Sequence, residues 1–125
     1  MSRSTRAWYQ QMIAAGRSGE RLVAHGRAAF DQDELLQRAA KNICLELGEA
    51  AKQIMADDAA ELSRVAYQRW PVVVRMRDFY GHNYPVTDLD VLWETIRTDL
   101  PEITLAVENR VVALDGPEVP PSTSP

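Results

Sequence analysis

The chain has 125 residues, of which 46% are hydrophobic and 26% are charged, and its formal net charge is −4. This length and composition fit one globular domain and exclude a disordered chain. No apolar run approaches the roughly 18 residues that a membrane span requires. The negative net charge argues against a protein that coats nucleic acid nonspecifically.

Cysteine content and the N-terminus indicate the compartment. The single cysteine, Cys44, excludes an internal disulfide and a cysteine-based zinc site, and its place in an apolar periodic segment predicts a buried thiol. The N-terminal sequence MSRSTRAWYQ lacks the apolar core of a signal peptide. We therefore expect a cytoplasmic protein.

Charge is distributed unevenly along the chain. Residues 1–30 carry five arginines against Glu20 alone: Arg3, Arg6, Arg17, Arg21 and Arg27. Residues 85–125 carry two arginines against eight acids. An anionic ligand could therefore find a locally positive surface despite the negative total charge.

The first half of the chain predicts two helices. Apolar residues over 4–28 favour one helix with a soft middle, because Gly16 and Gly19 each cost about 1 kcal/mol in a helix interior. Apolar positions then recur every three or four residues and predict a long helix from about 32 to 56, with Asp31 as its N-cap.

The second half predicts one short and two main helices. Residues 58–69 leave room for a short helix, and Pro71 suits the first turn of a helix ending near Gly81. Three consecutive valines make a strand the competing interpretation there. Residues 87–112 repeat the helical spacing, with Thr87 as the expected cap and a kink or break near Leu100 caused by Pro101.

These elements form one all-α domain over residues 1–113, with four main helices and one additional short helix. Residues 114–125 are rich in proline and lack apolar periodicity, which predicts a flexible tail.

The sequence MRDFYGHNYPVTD, residues 76–88, holds the candidate site. Arg77 and His82 are five residues apart, so a regular helix would separate them by roughly 140° around its axis. Gly81 predicts a helix end, after which the chain can turn His82 and Tyr84 back toward Arg77. The proline that follows Tyr84 favours an extended exit from this turn.

The chemistry of these residues allows two interpretations. Arg77 offers a planar cation suited to phosphate, His82 can move a proton, and Tyr84 supplies a hydroxyl. An arginine and a histidine without metal are what RNA cleavage by its own 2′-hydroxyl requires. The structural alternative is that the histidine and tyrosine bond to backbone carbonyls while Arg77 pairs with Asp78 or another acid. Near His82 the sequence offers no carboxylate pair together with a second histidine, so a metal site is poorly supported.

Four segments resemble one known family. RDFYGHNY matches the Arg-x4-His-x-Tyr motif of the HepT-like proteins in the HEPN superfamily of small helical nucleases. LGEAAK (47–52) and TDLDVLWETIRTDLP (87–101) resemble two further family blocks, and Trp70 lies seven residues before Arg77, where the family often has tryptophan. The resemblance covers roughly residues 20–110.

The resemblance implies a fold, an activity and partners. HepT-like proteins are up-and-down helical bundles that form homodimers, in which the two motif copies face each other. Arg77 and His82 would be the ribonuclease pair acting on RNA without metal or cofactor. The family consists of toxins whose antitoxin, the MntA-like nucleotidyltransferase, silences them by adding AMP units to the motif tyrosine, here Tyr84.

The sequence departs from the family pattern near the motif. Asp78 replaces a frequent asparagine, Pro85 replaces an aromatic residue, and Arg69 replaces a common proline. Asp78 would either neutralise Arg77 or help to orient His82. Glu49 would either line the cleft or pair with a cation. The alternative function is a noncatalytic module that docks a nucleotidyltransferase or binds a nucleotide.

Overall fold

The computed structural model describes residues 1–82 and 87–115, which form helices and no strand. In chain order these are α1 (Arg3–Ala24), α2 (Arg27–Gln32), α3 (Glu34–Asp57), a 3₁₀ turn (Glu61–Arg64), α4 (Trp70–Gly81), α5 (Leu89–Glu94), a π turn (Thr95–Asp99) and α6 (Leu100–Asp115). None of the helices in those ranges could span a lipid bilayer. The predicted all-α fold is confirmed. The predicted tail lies outside the described residues from position 116 onward.

The main helices pack in up-and-down order. Each neighbouring pair is antiparallel, because contacts early in one helix meet late positions in the next. Thr5 on α1 bonds to Asp57 on α3, and Gln11 bonds to the Glu46 carbonyl. The contacts that join α3 to α4 run the same way, Gly48 with Arg77 and Leu45 with Gly81, as do those that join α1 to α6, Gly16 with Thr104 and Gly19 with Leu100.

The core lies between these helices and takes its largest side chains from all of them. The fully buried residues include Tyr9, Met12, Phe30, Leu47, Ile54, Val73, Leu92, Ile96, Leu100, Ile103 and Val107. Trp70 and Trp93 are also buried, and Trp93 packs against Phe30 with ring centroids 5.1 Å apart. Both tryptophans therefore belong to the core.

The glycines of α1 have a packing role. The predicted soft middle was wrong, because α1 is a continuous helix through Gly16 and Gly19. A Cβ at Gly16 would lie 2.1 Å from Thr104 Oγ1, and one at Gly19 would lie 2.4 Å from Leu100 Cδ2. The glycines thus let α6 approach α1, which offsets their low helix propensity.

The predicted helix boundaries need three corrections. Helix α1 ends at Ala24 rather than near 28, because Gly26 adopts φ 88° and starts the separate helix α2. The N-cap of α3 is Asp33 rather than Asp31, and its carboxylate accepts the Leu35 N–H at 2.9 Å. The N-cap of α5 is Asp88 rather than Thr87.

The predicted irregularity near Leu100 takes the form of a π turn. In a regular α-helix the ring of Pro101 would clash with the carbonyl four residues earlier. The chain widens over Thr95–Asp99 instead, and the Leu100 N–H bonds to the Thr95 carbonyl five residues back. The helix therefore continues through the proline without a break.

Gly48 brings α4 against α3. The strand alternative for residues 72–74 was wrong, because these valines lie in α4. A Cβ at Gly48 would lie 2.6 Å from the Arg77 backbone nitrogen and 2.8 Å from the Val73 carbonyl oxygen. The two backbones are therefore in direct contact where α4 carries Arg77.

A buried carboxylate on the 3₁₀ turn links that turn to α1 and α6. Glu61, on the 3₁₀ turn, is 3% exposed. Its Oε2 accepts from the Tyr9 hydroxyl and from Arg110 Nε, each at 2.8 Å, and Oε1 accepts from Arg110 Nη2 at 3.1 Å. The Arg110 hydrogen bonds lower the pKa of Glu61, and burial beside the carboxylate raises that of Tyr9.

We predict that Gly48→Ala destabilises the protein and Gly81→Ala does not. The added methyl at Gly48 would meet backbone atoms of α4, and such overpacking costs about 1–3 kcal/mol. At Gly81 the nearest atom to an added Cβ is Leu45 Cδ1 at 3.8 Å, an ordinary contact. Urea unfolding of both variants measures the difference. Equal stabilities would contradict the close approach of α3 and α4.

We also predict that Glu61→Ala lowers the free energy of unfolding by about 3 kcal/mol at pH 7, because Arg110 is left without its buried partner. Since folding depresses the Glu61 pKa, its stabilisation is complete above the ordinary glutamate pKa of about 4.3 and is lost as pH falls further. Urea unfolding of wild type and Glu61→Gln at pH 7 and at lower pH tests the sign. If the difference in the free energy of unfolding between wild type and Glu61→Gln grew on acidification, the predicted pH dependence would be contradicted.

Candidate active site

The site begins where α4 ends. The helix stops at Gly81, and His82 has extended backbone with φ −93° and ψ 138°. Gly81 does not adopt the left-handed conformation, so the extended His82 makes the change of direction. The chain thus leaves the helix immediately at the predicted histidine.

A pocket of about 410 Å³ lies between this helix end and α3. Its lining brings together Arg77 and His82 with the two predicted supporting residues, Asp78 and Glu49. Leu45 and Gly81 complete the lining. Tyr84, the predicted modification site, lies outside the described residues.

An ion pair across the two helices orients Arg77. Its Nε contacts Glu49 Oε2, and the other Glu49 oxygen accepts from Gln53 Nε2 at 2.9 Å. Arg77 Nη1 lies 3.7 Å from Asp78 Oδ1, which is a longer and more exposed contact. The Arg77 side chain keeps 36% of its surface exposed. Since a guanidinium has five N–H donors, Glu49 can hold it while other donors face a ligand.

A larger groove of about 810 Å³ adjoins the pocket and shares Asp78 and His82 with it. It runs between α4 and the α5–π segment. Its apolar lining includes Phe79, which is 52% exposed, and Val91, which is 56% exposed. Apolar surface beside a polar pocket is typical of sites that receive a partner or an extended ligand.

Other reactive residues of the sequence lie apart from this pocket. Cys44 is buried as predicted, and burial raises the pKa of its thiol to about 12, which disfavours a thiolate. His25 is an exposed C-cap of α1. Across the described ranges, no group of three or more His, Cys, Asp or Glu residues is placed to hold a metal ion.

The structure adds two residues to the predicted set. Leu45 lines the pocket one helical turn before Glu49, and this spacing of four residues on α3 was the signal available in the sequence. Arg75 lines the larger groove. No local pattern distinguishes it from the other arginines, because its position depends on how α4 packs.

Comparisons with known proteins agree with this architecture. The family model described as "Ribonuclease HepT-like" matches residues 13–109, which include α4 and the whole pocket. No curated protein and no solved structure matches the chain. Because the family match spans most of the sequence, the chain belongs to the HepT-like ribonuclease family.

Proposed function

We propose that this protein is a metal-independent endoribonuclease toxin, with Arg77 and His82 as its catalytic pair. The supporting observation is that a guanidinium held by Glu49 and an imidazole at the end of the same helix line one pocket. Arginine binds phosphate through paired N–H donors, and histidine exchanges protons near neutral pH. The proposed cytoplasmic location gives such an enzyme access to cellular RNA.

The reaction that suits these groups is attack of an RNA 2′-hydroxyl on the adjacent phosphorus. A base removes the hydroxyl proton, the new O2′–P bond forms, and the P–O5′ bond breaks as an acid protonates the leaving oxygen. The products are a 2′,3′-cyclic phosphate and a 5′-hydroxyl end. Arg77 stabilises the charge that builds on the nonbridging oxygens, and His82 performs one of the two proton transfers.

The second proton transfer favours a homodimer. One described pocket contains one histidine, whereas the reaction needs a base and an acid. A second copy of the motif facing the first would supply the other group. The apolar groove beside the pocket, with the exposed side chains of Phe79 and Val91, offers surface for such an association.

We also propose control by a nucleotidyltransferase antitoxin that AMPylates Tyr84. The tyrosine lies two residues beyond His82 in the motif. Each AMP unit adds a bulky phosphodiester anion two residues along the chain from His82, which lines the pocket. That anion would compete with RNA phosphate for Arg77 and repel the rest of the strand.

Local charge favours a second candidate, the noncatalytic module that docks a nucleotidyltransferase or binds a nucleotide. The pocket contains two carboxylates, Glu49 and Asp78, against the single cation Arg77. This balance weakens the attraction for RNA. The carboxylate of Asp78 is 67% exposed, however, so solvent screens it strongly.

We predict that His82→Ala lowers RNA cleavage by about 10²- to 10⁴-fold, the usual contribution of a proton-transferring group. His25→Ala, which changes the exposed histidine at the end of α1, retains full activity. Gel analysis of a labelled RNA, with chemical analysis of the new ends, measures both. Equal cleavage by His82→Ala and wild type would remove His82 from the mechanism. An inactive wild type that forms a tight nucleotidyltransferase complex would select the second candidate.

We predict that co-expression with a cognate nucleotidyltransferase raises the intact mass by one or more AMP units, and that Tyr84→Phe abolishes the increase. Tyr80→Phe is the matched control. Tyr80 is half-buried on α4, and burial raises the pKa of its hydroxyl to about 12. Mass spectrometry of the purified proteins decides the question. An unchanged AMP load on Tyr84→Phe would place the modification elsewhere.

A further inference from the structure

One side of α1 carries a row of exposed residues without a negative charge. The row, here called the arginine face, advances in alternating steps of four and three residues and therefore follows one side of the helix. Its six members are all exposed: Arg3, Ala7, Gln10, Ala14, Arg17 and Arg21. It extends about 27 Å along the helix axis.

The arginines of this face form no ion pairs, unlike most other arginines in the part of the chain that the structure describes. Eight arginines elsewhere in the described chain lie within 4.0 Å of a carboxylate. Arg3, Arg17 and Arg21 form no ion pair with any residue in the described ranges, and Arg75 is the one other such arginine. Arg6 borders the face, and Asp115 neutralises it. The face thus carries three positive charges on an acidic protein, and the one acid of α1, Glu20, lies beside the face.

The chemistry of the face selects a hydrated polyanion as its ligand. Protein interfaces are built around aromatic or large apolar anchors, and the face contains only alanines between its polar side chains. A membrane-surface helix inserts its apolar side into lipid, but the apolar side of α1 is buried in the core through Tyr9, Met12 and Leu22. Small residues between cations instead allow a charged backbone to approach closely.

We propose that the arginine face binds the phosphate backbone of the RNA substrate outside the cleavage pocket, whose lining contains none of the six face residues. This inference rests on the proposed ribonuclease function and adds a second binding region to it. Arg17 and Arg21 would contact successive phosphates, and Gln10 would donate to another phosphate oxygen. The face would therefore favour long RNA strands without reading their sequence.

The test compares two double variants that remove the same charge. Arg17→Gln/Arg21→Gln alters the face, whereas Arg38→Gln/Arg97→Gln removes two exposed arginines that are paired with Glu34 and Glu94. Each is made in the full chain, and binding to a single-stranded RNA oligonucleotide is measured by fluorescence anisotropy across a salt series in a His82→Ala background. Cleavage of a dinucleotide with one phosphodiester bond is measured with His82 intact.

We expect the face variant alone to bind the oligonucleotide more weakly. Its slope of log K against log salt should fall by about 1.4, since each single-strand phosphate contact contributes roughly 0.7. Dinucleotide cleavage should match wild type, because a dinucleotide has a single phosphate to place in the pocket and no face residue lines that pocket. Equal losses in the two double variants, no RNA binding by the His82→Ala parent, or face-dependent binding to phosphatidylserine vesicles in place of RNA would overturn the proposal. Face-dependent RNA binding without any dinucleotide cleavage would instead retain this site and overturn the proposed nuclease.

Discussion

Direct backbone contact between α3 and α4 at Gly48 determines where the candidate site lies. With no side chain between them, the two helices approach until the Arg77 backbone lies on α3. The Arg77 side chain then meets Glu49, the residue immediately after the glycine. His82 follows one residue beyond the end of the same helix, so its place in the pocket depends on the same contact.

The bundle uses its charged residues differently at its two ends. Glu61 is buried with Arg110 and Tyr9, and this closed network joins α1, the 3₁₀ turn and α6. At the pocket, Arg77 keeps about a third of its surface exposed while a carboxylate holds one edge of its guanidinium. Removing one partner of a buried pair of the first kind leaves an uncompensated buried charge, whereas a half-exposed cation of the second kind can still bind a phosphate. The arginine face on α1 resembles the pocket in this respect, because its three arginines form no ion pair within the described ranges.

Much of the fold could be predicted because its signals are local. The apolar spacing of α3, the helix end at Gly81 and the disturbance before Pro101 all come from neighbouring residues. The cap of α3 was displaced because Asp31 lies within α2 and pairs with Arg27, which leaves Asp33 to cap the helix. The role of Gly16 could not be read locally, since what distinguishes it from a helix breaker is Thr104 on another helix. The motif residues themselves were visible in the sequence, whereas the choice of Glu49 as the partner of Arg77 required the packing of α4 on α3.

The central claim is that Arg77 and His82 act on one RNA phosphate. A crystal structure of the protein bound to an RNA with a 2′-deoxy substitution at the cleavage site tests it most directly, because that strand can bind but cannot attack its own phosphorus. We expect the phosphate at the 2′-deoxy position to lie within hydrogen-bond distance of the Arg77 guanidinium, with His82 close to the 2′ carbon or the 5′ oxygen. A strand bound with its phosphates away from both side chains would contradict it.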